Sequence, residues 1–221
     1  MNDEEPSTPR APRPGTAVLT HLATLYPALF GERPLPLKRG IFHDLLAAHL
    51  DLFDKEALKE ALGRHTRSTR YLTAVAGGQK RHDLQGRPVE PMAPEHVYQA
   101  LLEVFKRRHQ RTGEDQRPRL RQRMLQAFEA SGLARDAYAE LVRGRDEAAN
   151  ALLDEALTEA AARDARAEAL LRAFEAAATT AEAFADMYGL DPRDAARLLE
   201  RGRRARAAAA RAAAEPAEPA A

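Results

Sequence analysis

The sequence predicts a mainly α-helical protein in two units, with one small β-hairpin in the first. Three observations carry this. Apolar residues recur at three- and four-residue spacing behind Thr, Asp or Pro starts, one helix after another. Gln85-Gly86 is flanked by two short extended runs, Lys80–Leu84 and Pro88–Val89. Composition then changes near residue 113. All five Lys and six of the seven His lie within residues 34–112, whereas the 109 residues from 113 onward hold 35 Ala and neither Lys nor His.

Residues 1–14 are polar, contain four Pro, and are expected to form a disordered leader. Thr16 is placed to cap a helix carrying Val18, Leu19, Leu22 and Leu25, which Pro27 ends. A Pro-rich extended loop follows over Glu32–Lys38. A second helix starts near Gly40 and turns Ile41, Leu45, Leu46 and Leu50 inward. Asp54 caps a third, with Leu58 and Leu62 inward. Thr66 is expected to cap a fourth carrying Tyr71, Leu72 and Val75, which Gly77-Gly78 stops. After the hairpin, Pro94 opens a long helix to about Arg111, with Val97, Ala100, Leu101, Val104 and Phe105 on one face.

The first unit thus spans 15–112, and 113–118 reads as a linker. Residues 119–205 are rich in the strong helix formers Ala, Arg, Glu and Leu. They also repeat. Leu125–Leu141 aligns without gaps on Leu171–Met187, an offset of 46, with seven of seventeen positions identical. Phe128/Phe174 and Tyr138/Phe184 pair residues that are rare in this chain. Two related helix-pair units are therefore expected. Residues 206–221, Arg and Ala running into Glu-Pro repeats, are expected to form a disordered tail.

The chain has 221 residues, a net charge of +1 and no Cys. Lack of Cys excludes a disulfide scaffold, a Cys-ligated zinc site and a thiol nucleophile, and fits a reducing, cytoplasmic setting. Mean hydropathy is −0.52. No basic-then-apolar leader and no run of about 18 apolar residues occurs, so no membrane partner is expected. The small net charge hides a division: −1 over residues 1–33, +5 over 34–112 and −3 over 113–221. Lys59–Arg87 alone carries +5. Such density is the footprint of a polyanion partner, although a solvated helix face has the same composition.

Enzyme signatures are missing. The sequence has no G-x-S-x-G, no phosphate-binding loop and no G-x-G-x-x-G. His43-Asp44 and His82-Asp83 lack further ligands at helical spacing, and His43 and His49 fall on different helix faces. No nucleophile, base and orienting group stand together. The sequence therefore predicts no catalytic residue, no metal site and no cofactor.

Nucleic acid suits the residues better. On a helix, Arg67, Arg70 and Tyr71 fall at i, i+3 and i+4 and share a broad face. Arg forks onto phosphate, and Tyr stacks on a base or packs into the core; the sequence leaves both open for Tyr71. Lys80-Arg81 follows close by. Lys38, Arg39 and Gly40 at a helix start offer a cation and free backbone N–H groups to a phosphate.

These pieces, in this order, resemble the ProQ/FinO family of bacterial RNA chaperones over about residues 16–110. The match runs through Leu25-Tyr26-Pro27-x-x-Phe30 and Pro36-Leu37-Lys38-Arg39-Gly40-Ile41-Phe42-His43-Asp44-Leu45. It continues with Leu58-x-x-Ala61-Leu62-x-x-x-Thr66-x-x-x-Arg70-Tyr71-Leu72, then Gly78-x-x-Arg81-x-Asp83-Leu84-x-Gly86, and His96. The resemblance implies a compact helical domain with a small β element that binds structured RNA with a 3′ single-stranded tail. It further implies phosphate contacts from Lys38 and the Gly40 helix start, and a 3′-end pocket lined by Thr66, Arg70, Tyr71 and Arg81. Lys55 and Lys59 would extend the basic surface. Annealing, strand exchange and post-transcriptional regulation through small RNAs and terminator hairpins are the activities implied. The chain departs from the pattern at Arg39, where an aliphatic residue is usual, and at His65, where an aromatic is usual. Gly63 stands where relatives show a basic side chain, beside Arg64. Two other readings concern the C-terminal half. Thr180–Arg201 has helix-turn-helix spacing suited to a DNA-binding regulator, although its second helix begins Asp191-Pro192-Arg193-Asp194. The Ala-rich helices also suit docking of a protein partner or self-association.

Overall fold

The computed structural model describes residues 14–50 and 52–214. They fall into two compact units that divide between Leu120 and Arg121. The leader expected over 1–14 lies, but for Pro14, outside the described residues.

The N-terminal unit contains α1 (Pro14–Leu25), α2 (Pro27–Phe30), α3 (Ile41–Ala48), α4 (Lys55–Thr66), α5 (Thr69–Ala76), β1 (Arg81–His82), β2 (Pro88–Glu90) and α6 (Pro94–Thr112). α1 packs on α4, and α5 packs on α6. Leu22, Leu29, Leu45, Leu58, Ala61 and Leu101 are sealed in the core. The Asp54 cap is as expected: its side chain accepts from the Ala57 N–H at 2.9 Å.

Several starts differ from the sequence reading. α1 begins at Pro14, ahead of Thr16, because Pro's fixed φ suits a first helical position. Thr16 sits in that first turn, where its hydroxyl accepts from Arg64 Nη1 at 2.6 Å. Pro27 ends α1 but immediately opens α2, which buries Leu29 and Phe30. Thr66 does not cap α5. It closes α4, its hydroxyl bonding back to the Leu62 carbonyl at 2.9 Å, and Ser68 caps α5 by accepting from the Tyr71 N–H at 3.2 Å. Leu50 points outward, 81 % exposed, since α3 stops at Ala48.

The hairpin is antiparallel. Its turn is built by Asp83, whose Oδ1 accepts from the Gln85 and Arg87 N–H groups at 3.0 and 2.9 Å. The Pro-rich loop is less irregular than its composition suggests. Pro36–Lys38 runs parallel to β1, with His82 N–H donating to Pro36 O at 2.7 Å and Lys38 N–H to His82 O at 2.8 Å. Pro36 lacks an N–H but loses nothing as an acceptor here.

The C-terminal unit contains α7 (Arg117–Ser131) from Arg121 onward, α8 (Arg135–Val142), α9 (Glu147–Ala177), α10 (Ala181–Met187) and α11 (Pro192–Ala214). α7 starts inside the segment expected as linker, where Asp115 Oδ1 accepts from the Arg117 N–H at 3.0 Å. α11 runs to Ala214, past the expected start of a disordered tail at 206, because Ala and Arg propagate helix well.

The repeat is visible in three dimensions. α7–α8 corresponds to the end of α9 followed by α10. Phe128 and Tyr138 meet edge-to-face at 5.2 Å, and their counterparts Phe174 and Phe184 do so at 5.3 Å. The turns correspond as well: Gly132 at φ 68° matches Ala178 at φ 47°. Ala178 is the only described non-Gly residue with positive φ. A Cβ there costs about 1 kcal/mol. Ala178→Gly is expected to stabilise the unit by about that amount, read as a rise in its urea midpoint without a change in slope.

Arginine–carboxylate pairs lace these helices. Arg201 Nε meets Asp164 at 2.7 Å and Arg201 Nη1 meets Glu129 at 2.9 Å. Partial burial works against the Arg201 charge, but its hydrogen bonds to Glu129 and Asp164 more than offset this and raise its pKa. Arg206 pairs with Glu175 at 2.9 Å, and Arg203 and Arg204 with Glu200 at 3.6 and 3.1 Å. Much of the Arg run of α11 is thus matched by carboxylates. At the start of α11, Asp191 accepts from the Arg193 N–H and Asp194 pairs with Arg197, which places acids where a DNA-reading helix needs donors.

Candidate nucleic-acid interface

The site is set by the α4–α5 junction, the hairpin and one face of α6. Between them lies an open cavity of about 520 Å³ lined by Thr66, Tyr71, Leu72, Val75, Arg81, Met92, His96, Gln99, Ala100 and Glu103. That volume falls in the range of small-molecule sites. Three of the four residues expected to line a pocket are there. Arg70 is not: it stands exposed on the first turn of α5.

Tyr71 is first of all a core residue. Only 6 % of it is exposed, its hydroxyl accepts from the Leu37 N–H at 3.0 Å, and burial raises its pKa. One edge of the ring is left for the cavity. Arg81 is held from several sides. Its Nη1 donates to the Leu37 carbonyl at 3.1 Å, its Nη2 lies 3.4 Å from His96 Nδ1, and its Nε sits 4.0 Å from a Glu90 carboxylate oxygen. The Arg81 side chain is 14 % exposed, and Nε is buried with no hydrogen-bond partner in the protein. A guanidinium fixed in this way is pre-oriented for an anion or a carbonyl entering the cavity.

The remaining predicted residues divide by what they touch. Lys38 Nζ is paired with Asp44 at 2.8 Å, and that hydrogen bond and charge raise its pKa. Arg39 donates its backbone N–H and its Nε to Glu90 at 3.0 and 2.9 Å. These donors, the Arg39 N–H first, hold the Glu90 carboxyl below its ordinary range. Gly40, at φ 80°, precedes α3 with open space around it. Lys59 lies 3.9 Å from Glu56 in a weak exposed pair. Arg64 reaches Thr16. Arg67 closes α4 and folds over Gly63, so a side chain at 63 would meet its guanidinium at 3.2 Å. The expectation that Arg67, Arg70 and Tyr71 share one face therefore fails, because the helix breaks at Ser68.

Among the described residues, Lys55, Arg67, Arg70 and Lys80 carry no ion pair and stand exposed. These predicted cations are free to meet a polyanion, as are Arg33 and Arg87, which are also exposed and without an ion pair. Sequence reasoning missed the α6 contribution: His96, Gln99 and Glu103 at i, i+3 and i+7 share the cavity-facing stripe, and Lys106, Arg108 and Arg111 add exposed charge beyond it. The polar stripe was readable from that spacing.

The model of the ProQ/FINO family matches residues 13–117. The RNA chaperone ProQ of Haemophilus influenzae is 40 % identical over 93 residues, which is 40 % of this chain and 47 % of the relative. That of Aeromonas hydrophila is 39 % identical over 110 residues, or 44 % of this chain and 51 % of the relative. The chain thus spans about half the length of the curated relatives it matches. A crystal structure of a FinO-like RNA chaperone from Neisseria meningitidis is 35 % identical, with 39 % of this chain and 88 % of that one covered and a TM-score of 0.36. No described helix is long and apolar enough to cross a membrane. Over residues 13–117, just under half of its length, the chain is similar to the ProQ/FINO family.

Proposed function

We propose that the N-terminal domain binds structured RNA ending in a 3′ single-stranded tail and works as an RNA chaperone. The observation that carries this is the cavity lined by Thr66, Tyr71 and Arg81, in a unit that also presents the exposed cations Lys55, Arg67, Arg70 and Lys80 without an ion pair. An RNA duplex is read by shape and backbone, since its deep major groove hides the base edges. The free cations suit that backbone. An unpaired 3′ end has exposed bases and hydroxyls, which suit a cavity with both apolar and polar walls. Such a protein speeds annealing by screening strand repulsion and needs no nucleotide hydrolysis. The matched relatives, named as RNA chaperones, support the same reading.

Filter binding of a hairpin RNA with a 3′ U-tail tests it. Affinity is expected to fall log-linearly with salt, as each neutralised phosphate releases its counterions. Arg81→Ala is expected to weaken binding about tenfold, the loss of one charge-assisted hydrogen bond. Equal affinity for a blunt duplex DNA, or wild-type binding by the Arg81 variant, overturns the proposal.

A further inference from the structure

We propose that α1 and the turn after α3 form a self-association face, which a second copy of this chain covers. Residues 14–31 contain no Asp, Glu, Lys or Arg, and neither do residues 45–50, in a chain that is 30 % charged. Asp51, which follows, lies outside the described residues. Surface helices normally turn a charged face to water. α1 has no such face, yet it is covered on one side only. Leu22 is sealed in the core, whereas Ala17, Thr20, His21, Thr24 and Leu25 are exposed at i, i+3, i+4, i+7 and i+8. The hydroxyls of Thr20 and Thr24 donate back to the Thr16 and Thr20 carbonyls, at 3.2 Å each, and so need no outside partner.

The apolar part of this face is concentrated. Among the described residues of the N-terminal unit, four large apolar side chains are exposed, and three of them are Leu25, Leu50 and Leu52. They meet around a cluster of rings. Tyr26 Oη lies 2.8 Å from His49 Nε2, and the Phe53 ring stands edge-to-face with His49 at 5.6 Å and with His21 at 5.7 Å. Each leucine is the chain neighbour of one of these rings. The ring contacts pin the turn to α1, so the leucines are presented on a pre-organised surface. None of these residues lines the cavity between α5, α6 and the hairpin.

The charge pattern selects the occupant. In a two-fold contact a patch meets its own copy, so a charged patch repels itself and an uncharged one does not. RNA gains nothing from a face without cations. Charge returns at the start of α1, where Arg64 reaches Thr16 and Glu60 lies against Gly15, giving both signs to a polar rim. Size sets the strength. The 12 residues of α1 run about 18 Å, and a helix with one adjoining turn is about 20 Å wide, so each copy offers on the order of 350 Å². That is below the roughly 800 Å² per partner of a stable complex, so the association is weak, with a Kd on the order of 100 μM. A pair of copies would hold two RNA-binding cavities together and raise the effective concentration of two bound strands. This consequence rests on the proposed function, whereas the association itself does not.

The test is sedimentation equilibrium of the full chain, without RNA, from about 5 to about 500 μM, a range that brackets this Kd. The weight-average mass is expected to rise from the 24.4 kDa of one chain toward twice that value. Leu50→Glu and Leu50→Lys each set like charges against each other across the contact, and each is expected to weaken association at least about tenfold. An equimolar mixture of the two variants is expected to associate again, because opposite charges then face each other. Leu50 is 81 % exposed, so both variants are expected to keep the wild-type urea midpoint. Thr24→Arg, on the exposed side of α1, is a second probe with the same expected loss. A wild-type chain that stays at the mass of one copy throughout overturns the inference and leaves the face to a different protein. So does an association that Leu50→Glu and Thr24→Arg both leave unchanged.

Discussion

Acidification from pH 6.5 to pH 4 will destabilise the N-terminal unit by about 3 kcal/mol through a single residue, His65. His65 is 7 % exposed and lies between Phe30 and Tyr71, with ring centroids at 4.8 and 5.1 Å. Its Nε2 is buried without a partner in the protein, while the ring keeps a hydrogen bond to the Leu29 backbone. Burial dominates and pulls its pKa from 6.5 to about 4. Above pH 6.5 the ring is neutral whether the chain is folded or not, so it exerts no pH-dependent effect. Between pH 6.5 and 4 the unfolded chain takes up a proton that the folded one does not. Stability therefore falls with each pH step across that window. Carboxylates with depressed pKa values act lower: Asp115, held at about 2 by its Arg117 hydrogen bonds, loses its contribution only below about pH 4. The measurement is the urea midpoint against pH, followed through the Tyr71 and Tyr98 ring resonances. His65→Phe removes the titrating group and keeps the stack. Its midpoint should match wild type near pH 7 within about 1 kcal/mol, since the relief of an unpaired nitrogen offsets the lost bond to Leu29. Its curve should then stay flat between pH 6.5 and about 5, below which the Glu90 carboxyl, held under its ordinary value, also begins to count. A His65→Phe protein with the wild-type acid slope sinks the assignment.

His65 also shows what a sequence conceals. The residue was visible as a departure from an aromatic position, but its neutral state depends on Phe30 and Tyr71 closing over it from two other helices. Elements with local causes were legible. Asp54 caps α4 through its own side chain, Pro94 opens α6, and the repeated aromatic pairs are encoded within seventeen residues. Features that depend on distant partners were not. Ser68 and Thr66 are both acceptable caps, and only the fold shows that Thr66 closes α4 while Ser68 opens α5. Lys38, Arg39 and Arg81 read as free cations, yet Asp44 and Glu90 sit on two of them and beside the third; Glu90 is 51 residues from Arg39. Likewise, the partners of the α11 arginines lie far off in sequence, on α7 and α9. Charge counts along a chain locate a basic unit, but only the fold says which charges remain unpaired.

Gly202 gives the other large effect, in the C-terminal unit. In sequence it is one Gly in an Arg- and Ala-rich stretch, where a helix would gain about 1 kcal/mol from Ala instead. The fold reverses that judgement. At Gly202 α11 meets α9 closely: a Cβ there would lie 2.6 Å from the Ala167 carbonyl oxygen and 3.0 Å from Leu171 Cβ. A backbone carbonyl inside a helix cannot swing aside, so α11 itself must move. Moving it opens the cluster of Leu171, Phe184 and Leu199 on which the second repeat depends. Overpacking of this kind costs about 1–3 kcal/mol, more than the helix propensity regained. Gly202→Ala is thus expected to destabilise the unit by about 1 kcal/mol net. Gly202→Val has two more methyl groups and a poorer helix propensity, and is expected to cost about 3 kcal/mol or more. Urea unfolding followed through the Tyr138 and Tyr188 resonances reads both. A more stable Gly202→Ala protein would mean that α11 shifts along α9 without loss, and that the close approach is no constraint.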